Sequence, residues 1–124
     1  MGFQDDWVMR QIDIVARFVS SLVFKKDLVK YEPGVSDILP HTDEVYYMIM
    51  RLLKEGDICG AEDVLFENIE FSDRYVELAT DFYQRLNAMT DKELESADFS
   101  RDEVYDGFVD ILTKLGIPVE QFTE

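Results

Sequence analysis

One short link joins two helical patterns in LLKEGDICGA, residues 52–61. Ile49 and Leu52 end an apolar pattern with the helical period, and Leu65 belongs to the next pattern of the same kind. The Gly-Asp pair between them stops the first of these helices. Because so few residues separate the two helices, they must fold back on each other as an antiparallel hairpin, predicted over about residues 42–70.

The chain is helical on both sides of this hairpin. A long helix is predicted over about residues 5–24, an aperiodic connector over about residues 28–40, and C-terminal helices over about residues 73–115. No alternating strand pattern occurs in the sequence. We therefore predict an all-α protein, a single helical domain over residues 1–124 built as an irregular bundle of five to six helices.

The first helix has an unusually wide apolar surface. Its polar residues Arg10, Asp13 and Arg17 form a narrow stripe, and nearly all other positions are apolar. A surface helix needs an apolar stripe only about 100° wide. We therefore expect this helix to be covered on more than one side, by several neighbouring helices or by a second subunit.

Several helix starts carry capping residues. Thr42 or Asp43 is expected to cap the second helix, and Ser72 the fourth. The segments Thr90–Glu93 and Ser100–Glu103 have the form of a capping box, in which a hydroxyl and a later carboxylate bond each other's free backbone N–H groups. These signals predict where three of the C-terminal helices begin.

The hairpin link resembles the turn of a tetratricopeptide-type repeat. In such a turn, a pair like Gly56-Asp57 joins two helices, and a small residue like Ala61 allows their close approach. Stacked repeats need about three copies to bury a continuous core, and no second Gly-Asp hairpin follows at the repeat spacing. The resemblance therefore implies one tetratricopeptide-like hairpin inside the bundle.

A wider resemblance covers nearly the whole chain. The stretches Asp6–Ile12, Gly56–Glu67 and Phe99–Glu103 are similar to a family of short acidic helical proteins from low-GC Gram-positive bacteria, a domain-of-unknown-function family. The resemblance implies a bacterial cytosolic protein with an all-helical fold, and it implies no activity.

The charge and the cysteine content exclude some classes of binding partner and indicate a cellular compartment. With 27 acids against 12 bases, the net charge is −15, which opposes direct binding to nucleic acid or to anionic membranes. Cys59 is the single cysteine, so no intrachain disulfide can form, and a reducing cytoplasm is expected. We expect neither a signal peptide nor a membrane-spanning segment from the composition of the sequence.

The acids concentrate in the second part of the chain. Residues 1–40 carry 6 acids and 5 bases, whereas residues 41–124 carry 21 acids and 7 bases. Rows with helical spacing form a candidate docking face for a basic partner. Its residues are Asp73, Glu77, Asp81, Asp102, Asp106 and Asp110. The rows also suit solvated helix faces that only keep the protein soluble, so both interpretations stay open.

The N-terminal aromatic residues are candidates for self-association. Phe3, Trp7 and Met9 are residue types found in interface cores, which predicts a homodimer. Packing of the same residues inside one chain is the alternative.

The remaining candidate residues lack the neighbouring groups that catalysis or metal binding would require. His41 is the only histidine and has no ligand or nucleophile at a useful spacing, so it is interpreted as a surface residue near a helix start. Cys59 is either a thiol with a pKa lowered by a helix start or a small packed residue. Lys25, Lys26 and Lys30 complement the dipole at the end of the first helix.

We therefore expect a non-enzymatic cytoplasmic module that acts through contacts with an unidentified protein partner, and that needs no cofactor, metal or catalytic residue. The alternatives are a small-molecule or metal-binding helical bundle, and an acidic mimic of nucleic acid that competes for a basic protein.

Overall fold

Helices make up most of the structure. The computed structural model describes residues 3–24, 30–34 and 40–119. Its elements are α1 (Phe3–Val19), a π-helical turn (Ser20–Phe24), α2 (His41–Lys54), α3 (Ile58–Glu67), α4 (Asp73–Asn87), α5 (Asp91–Ser96) and α6 (Arg101–Lys114). No strand occurs in these residues. The predicted all-α bundle of five to six helices is confirmed.

Helix α4 lies at the centre of the bundle. It packs against α1, α2 and α6, and nine of its 15 residues are buried. Tyr75 and Tyr83 are both fully buried, and the Tyr75 hydroxyl donates a hydrogen bond to the Leu65 carbonyl of α3 at 2.6 Å. A helix covered on nearly every side belongs in the core, although its sequence carries several charges.

Helix α1 is covered by two neighbours and remains open on a third side. It packs on α4 and α6, where Ile12, Val15 and Val19 are fully buried. The expectation of several covering helices is thus confirmed for the inner side. Trp7 and Leu22 remain exposed, so part of the wide apolar surface faces away from the bundle.

Local capping signals are used as predicted in the C-terminal half. Both capping boxes are present. The hydroxyls of Thr90 and Ser100 accept the backbone N–H groups of Glu93 and Glu103, whose carboxylates in turn accept the backbone N–H groups of Thr90 and Ser100. The Ser72 hydroxyl accepts the Tyr75 N–H at 3.2 Å. Side chain and backbone thus satisfy the free N–H groups at these helix starts.

The predicted cap of α2 is wrong. Pro40 occupies the capping position without a side-chain hydrogen bond, and the helix begins at His41. Thr42 and Asp43 lie inside the first turn and are buried. Asp43 is not free to cap the helix because its carboxylate binds the connector instead.

Asp43 is the centre of a buried clamp on the connector, formed with Tyr31 and Arg74. Its carboxylate accepts the Tyr31 hydroxyl, the Gly34 N–H at 3.0 Å and Arg74 Nη2 at 3.2 Å. The Arg74 guanidinium lies 4.1 Å from the Tyr31 ring centroid and also donates to the Glu32 carbonyl at 2.7 Å. The clamp fixes residues 30–34 against α2 and α4, which are distant in sequence.

Helices α2 and α3 pack together as the predicted helical hairpin. Gly56 has a φ of +80°, which suits glycine in the tight link, and the Asp57 carboxylate caps α3 by accepting the Gly60 N–H at 2.9 Å. Ala61 is fully buried, as a close approach of the two helices requires. The likeness of this hairpin to a tetratricopeptide unit stays a prediction.

Candidate functional site

An acidic groove lies between α3 and α6. It has a volume of about 370 Å³ and is lined by Phe66, Gly107 and five acidic residues, which are Glu62, Asp63, Glu103, Asp106 and Asp110. None of these lining residues is basic. We call this feature the acidic groove.

One cation approaches the edge of the acidic groove. Lys114 Nζ lies 3.2 Å from Asp110 Oδ1, and both side chains are about half exposed. An exposed pair one turn apart on a helix contributes at most a few tenths of a kcal/mol. Lys114 therefore neutralises little of the negative charge, and an incoming cation can displace it.

A glycine permits close packing at the floor of the groove. The Tyr83 hydroxyl of α4 donates to Glu62 Oε2 at 2.5 Å, directly over Gly107 of α6. A Cβ at position 107 would overlap this oxygen and come within 2.6 Å of Tyr83 Oη. The absence of a side chain at Gly107 thus allows α3, α4 and α6 to meet. The hydrogen bond from Tyr83 then holds Glu62 in the wall of the groove.

The pKa of Glu62 is raised by this environment. Burial is the main cause, and the carboxylates of Glu103, Asp63 and Asp110 raise the pKa further, while the hydrogen bond from Tyr83 lowers it. Burial and the Glu62 charge raise the pKa of Tyr83, so its hydroxyl stays a proton donor. The floor of the groove is therefore a place where added positive charge is favourable.

We predict that Glu62→Gln removes part of the pH dependence of stability. Because the folded-state pKa lies above the ordinary value of 4.5, the folded protein binds this proton more tightly than the unfolded chain. Glu62 therefore causes stability to fall as pH rises from about 4.5 through the raised pKa. The glutamine variant should match the parent at pH 4 and exceed it at pH 7 by less than about 1 kcal/mol.

Urea unfolding at the two pH values measures this difference. Glu67→Gln is the matched control, because Glu67 is exposed on the same helix and does not line the groove. A Glu62→Gln variant less stable than the parent at pH 7 would contradict the prediction.

The structure divides the residues of the predicted docking face. Asp106 and Asp110 line the acidic groove, whereas Asp102 is exposed outside it. On α4, Asp73 is exposed, but Glu77 is largely buried. Helix α4 therefore does not present its acidic row as one solvated face.

Asp81 requires a correction, because it is only 4% exposed. Its carboxylate accepts Arg85 Nε at 2.7 Å, and Glu77 accepts Arg74 Nη1 at 2.8 Å. Both acids already have cationic partners at the edge of the core. They cannot serve as an open docking surface in this structure.

The residues predicted for self-association also separate. Trp7 is 47% exposed on α1. Met9 is half-buried, and its carbonyl accepts the Asn87 side-chain N–H of α4 at 3.2 Å. The side chain of Phe3 lies outside the described part of the structure. Of the two side chains that the structure describes, that of Trp7 lies on the open side of α1.

The remaining candidates have ordinary surface environments. His41 is exposed at the start of α2, and its Nε2 lies 3.0 Å from the Asn68 carbonyl, to which it donates. Cys59 is exposed, so the prediction that it packs at a helix crossing is wrong. Desolvation raises the pKa of its thiol, so the alternative prediction of a lowered pKa is also wrong. Lys30 is exposed, and Lys25 and Lys26 lie outside the described residues.

Within the described residues, no group of three or more His, Cys, Asp or Glu side chains is arranged to hold a metal ion. In the same part of the chain, no helix combines the length and apolar character needed to cross a bilayer.

Sequence reasoning missed most of the groove. Three of its acids, Glu62, Asp63 and Glu103, were not among the candidate docking residues, and Tyr83, which bonds Glu62, gave no polar signal within its helical pattern. Gly107 is the signal that could have indicated the groove, because an isolated glycine inside a helix often marks a place where another element approaches the backbone closely.

A second, larger groove lies between the hairpin link and α5. Its volume is about 760 Å³. Apolar side chains of Leu53, Ile58 and Met89 line it together with polar residues of α5 such as Lys92 and Glu93.

Comparison with known proteins leaves the activity open and gives the family. No curated protein and no solved structure matches the chain. A family model matches residues 2–116, which include every helix and the acidic groove. The chain therefore belongs to the family of unknown function DUF6483.

Proposed function

We propose that the protein is a non-enzymatic interaction module, and that it binds a basic segment of a partner protein in the acidic groove. The observation that carries this proposal is the lining, in which five acidic residues surround Phe66 without a cation among them. Lysine and arginine have apolar stems and charged heads. Phe66 can contact the stems while the carboxylates bind the heads.

The spacing of the carboxylates favours an extended partner over a single ion. They come from two helices and line the groove without converging on one metal site. A segment with several lysines or arginines can neutralise them one by one. Complementary charge of this kind mainly raises the association rate and the specificity.

We propose that this interaction takes place in the bacterial cytosol. The single cysteine, the acidic composition and the resemblance to short acidic bacterial proteins support that compartment. No catalytic role is assigned to any residue.

Three substitutions in the acidic groove should weaken binding of a basic peptide. The groove variant carries Asp63→Asn, Asp106→Asn and Asp110→Asn, and the probe is a fluorescent peptide of eight lysines. We expect the dissociation constant to rise about tenfold, because three lost contacts of about 0.5 kcal/mol each add up to roughly the 1.4 kcal/mol of a tenfold change. Fluorescence anisotropy measures the constant, and added salt should weaken binding to the parent.

The control variant removes the same number of charges elsewhere. It carries Asp73→Asn, Asp98→Asn and Asp102→Asn, all at exposed positions outside the groove. This variant should bind within about twofold of the parent. Equal losses in both variants would show that the peptide responds only to net charge, and the proposal would fail.

The larger groove supports a second candidate, binding of a small molecule. Its volume of about 760 Å³ lies within the range of about 300–1,000 Å³ that ligand pockets occupy, and its lining mixes apolar and polar side chains. A ligand that binds only the folded state must raise the melting temperature. A thermal-shift panel, repeated with Ser96→Trp to fill the groove, tests this candidate.

A further inference from the structure

An apolar stripe on the open side of α1 has no partner among the residues that the structure describes. Trp7, Ile14 and Leu22 are 47%, 38% and 50% exposed. Seven residues separate the first two, which is close to two helical turns. The π-helical turn over Ser20–Phe24 winds less per residue than an α-helix, so it returns Leu22 toward the side of Trp7. We call these three residues the α1 stripe.

We propose that the α1 stripe binds the same stripe of a second copy in an antiparallel homodimer. Ile14 lies near the midpoint, with Trp7 seven residues before it and Leu22 eight residues after it. A two-fold axis beside Ile14 would therefore place Trp7 of each copy opposite Leu22 of the other. Such self-complementarity is the requirement for a two-fold interface.

Charge permits a second copy at this face. The chain has a net charge of −15, so two copies repel each other across most of their surfaces. Helix α1 carries three acids, Asp5, Asp6 and Asp13, against Arg10 and Arg17, so its net charge is only −1. Two copies can approach there with little added repulsion.

The charged flank is also complementary to itself. Asp13 and Arg17 form an exposed pair at 2.9 Å within one helix. They lie one residue before and three residues after Ile14. In the antiparallel arrangement, Arg17 of each copy comes within about one helical turn, about 5.4 Å along the axis, of Asp13 of the other. The pair can then exchange between helices while the flank stays neutral.

This dimer is separate from the proposed peptide binding. The residues that line the acidic groove belong to α3 and α6, and none belongs to α1, so the groove lies outside the α1 face. A dimer would present two grooves, and a partner with two basic segments could bind both with increased avidity.

Light scattering over a range of concentrations tests the dimer. The mass should rise from 14.5 kDa toward twice that value with concentration. Added salt should favour the dimer by screening the net repulsion, opposite to its effect on peptide binding.

Ile14→Arg places two cations at the axis and should raise the dimer dissociation constant at least about tenfold. Phe71→Arg, another exposed apolar position outside α1, should leave it unchanged.

Cross-linking tests the register. In a Cys59→Ser background, Ile14→Cys places a thiol next to its counterpart, so oxidation should give a disulfide-linked dimer. Thr113→Cys, exposed on α6, should form no disulfide-linked dimer under the same treatment. A mass of 14.5 kDa at every concentration, or a dimer insensitive to Ile14→Arg, would overturn the proposal.

Discussion

Asp43→Ala should lower the free energy of unfolding by about 3 kcal/mol, since it leaves the buried Tyr31 hydroxyl without its acceptor and removes the bonds to Gly34 and Arg74. The Asp43 residue is 2% exposed and accepts hydrogen bonds from Tyr31, Gly34 and Arg74. Alanine would leave the Tyr31 hydroxyl without its acceptor in the core. Burial and the bond to Asp43 raise the pKa of Tyr31, so it cannot adapt by losing its proton near neutral pH.

Chemical denaturation measures this change, with Asp110→Ala as the matched control. Asp110 also pairs with a cation, Lys114, but its side chain is 54% exposed, so its loss should cost less than about 0.5 kcal/mol. Asp43→Asn keeps one oxygen for Tyr31 and should fall between the two. Equal effects of Asp43→Ala and Asp110→Ala would show that the clamp on the connector contributes nothing.

Arg101→Ala should lower the free energy of unfolding by about 3 kcal/mol, because it leaves two partly buried carbonyl groups without their donor and removes a buried guanidinium that joins three helix ends. Arg101 is 6% exposed at the first position of α6. Its guanidinium donates to the Asn87 carbonyl at 3.0 Å, the Met89 carbonyl at 2.6 Å and Asp91 Oδ1 at 3.1 Å. One side chain thus joins the end of α4, the start of α5 and the start of α6.

Lysine should not replace Arg101 well. A single ammonium group cannot reproduce the planar set of donors that meets acceptors in three directions, so Arg101→Lys should also lose at least about 1 kcal/mol. Arg17→Ala is the control, since Arg17 makes one ion pair with an exposed side chain. Denaturation curves in which Arg101→Ala and Arg17→Ala coincide would contradict this role.

Local sequence signals predicted the helices well because each signal acts over a few residues. Both capping boxes depend on groups three residues apart, and Ser72 bonds a backbone N–H at the same spacing. The cap of α2 could not be found in this way. Asp43 resembles a capping residue, but its partners Tyr31 and Arg74 lie far away in the chain.

The acidic groove was only partly predictable, since it depends on tertiary packing. Helical spacing identified Asp106 and Asp110, but it could not show that α3 would lie opposite them. It also could not show that α4 would be central, which buries Asp81 at the edge of the core beside the partly exposed Arg85. A charge row on a helix predicts a shared face, whereas burial depends on the neighbours of that helix.

The most direct test of the interaction module is to locate the bound basic peptide by NMR. The peptide of eight lysines would be titrated into ¹⁵N-labelled protein at fixed salt. We predict that the largest amide shift changes occur along α3 and α6, including Phe66 and Gly107, and that they disappear in the groove variant. Shift changes of similar size on every acidic helix, or their persistence in the groove variant, would contradict the proposed function.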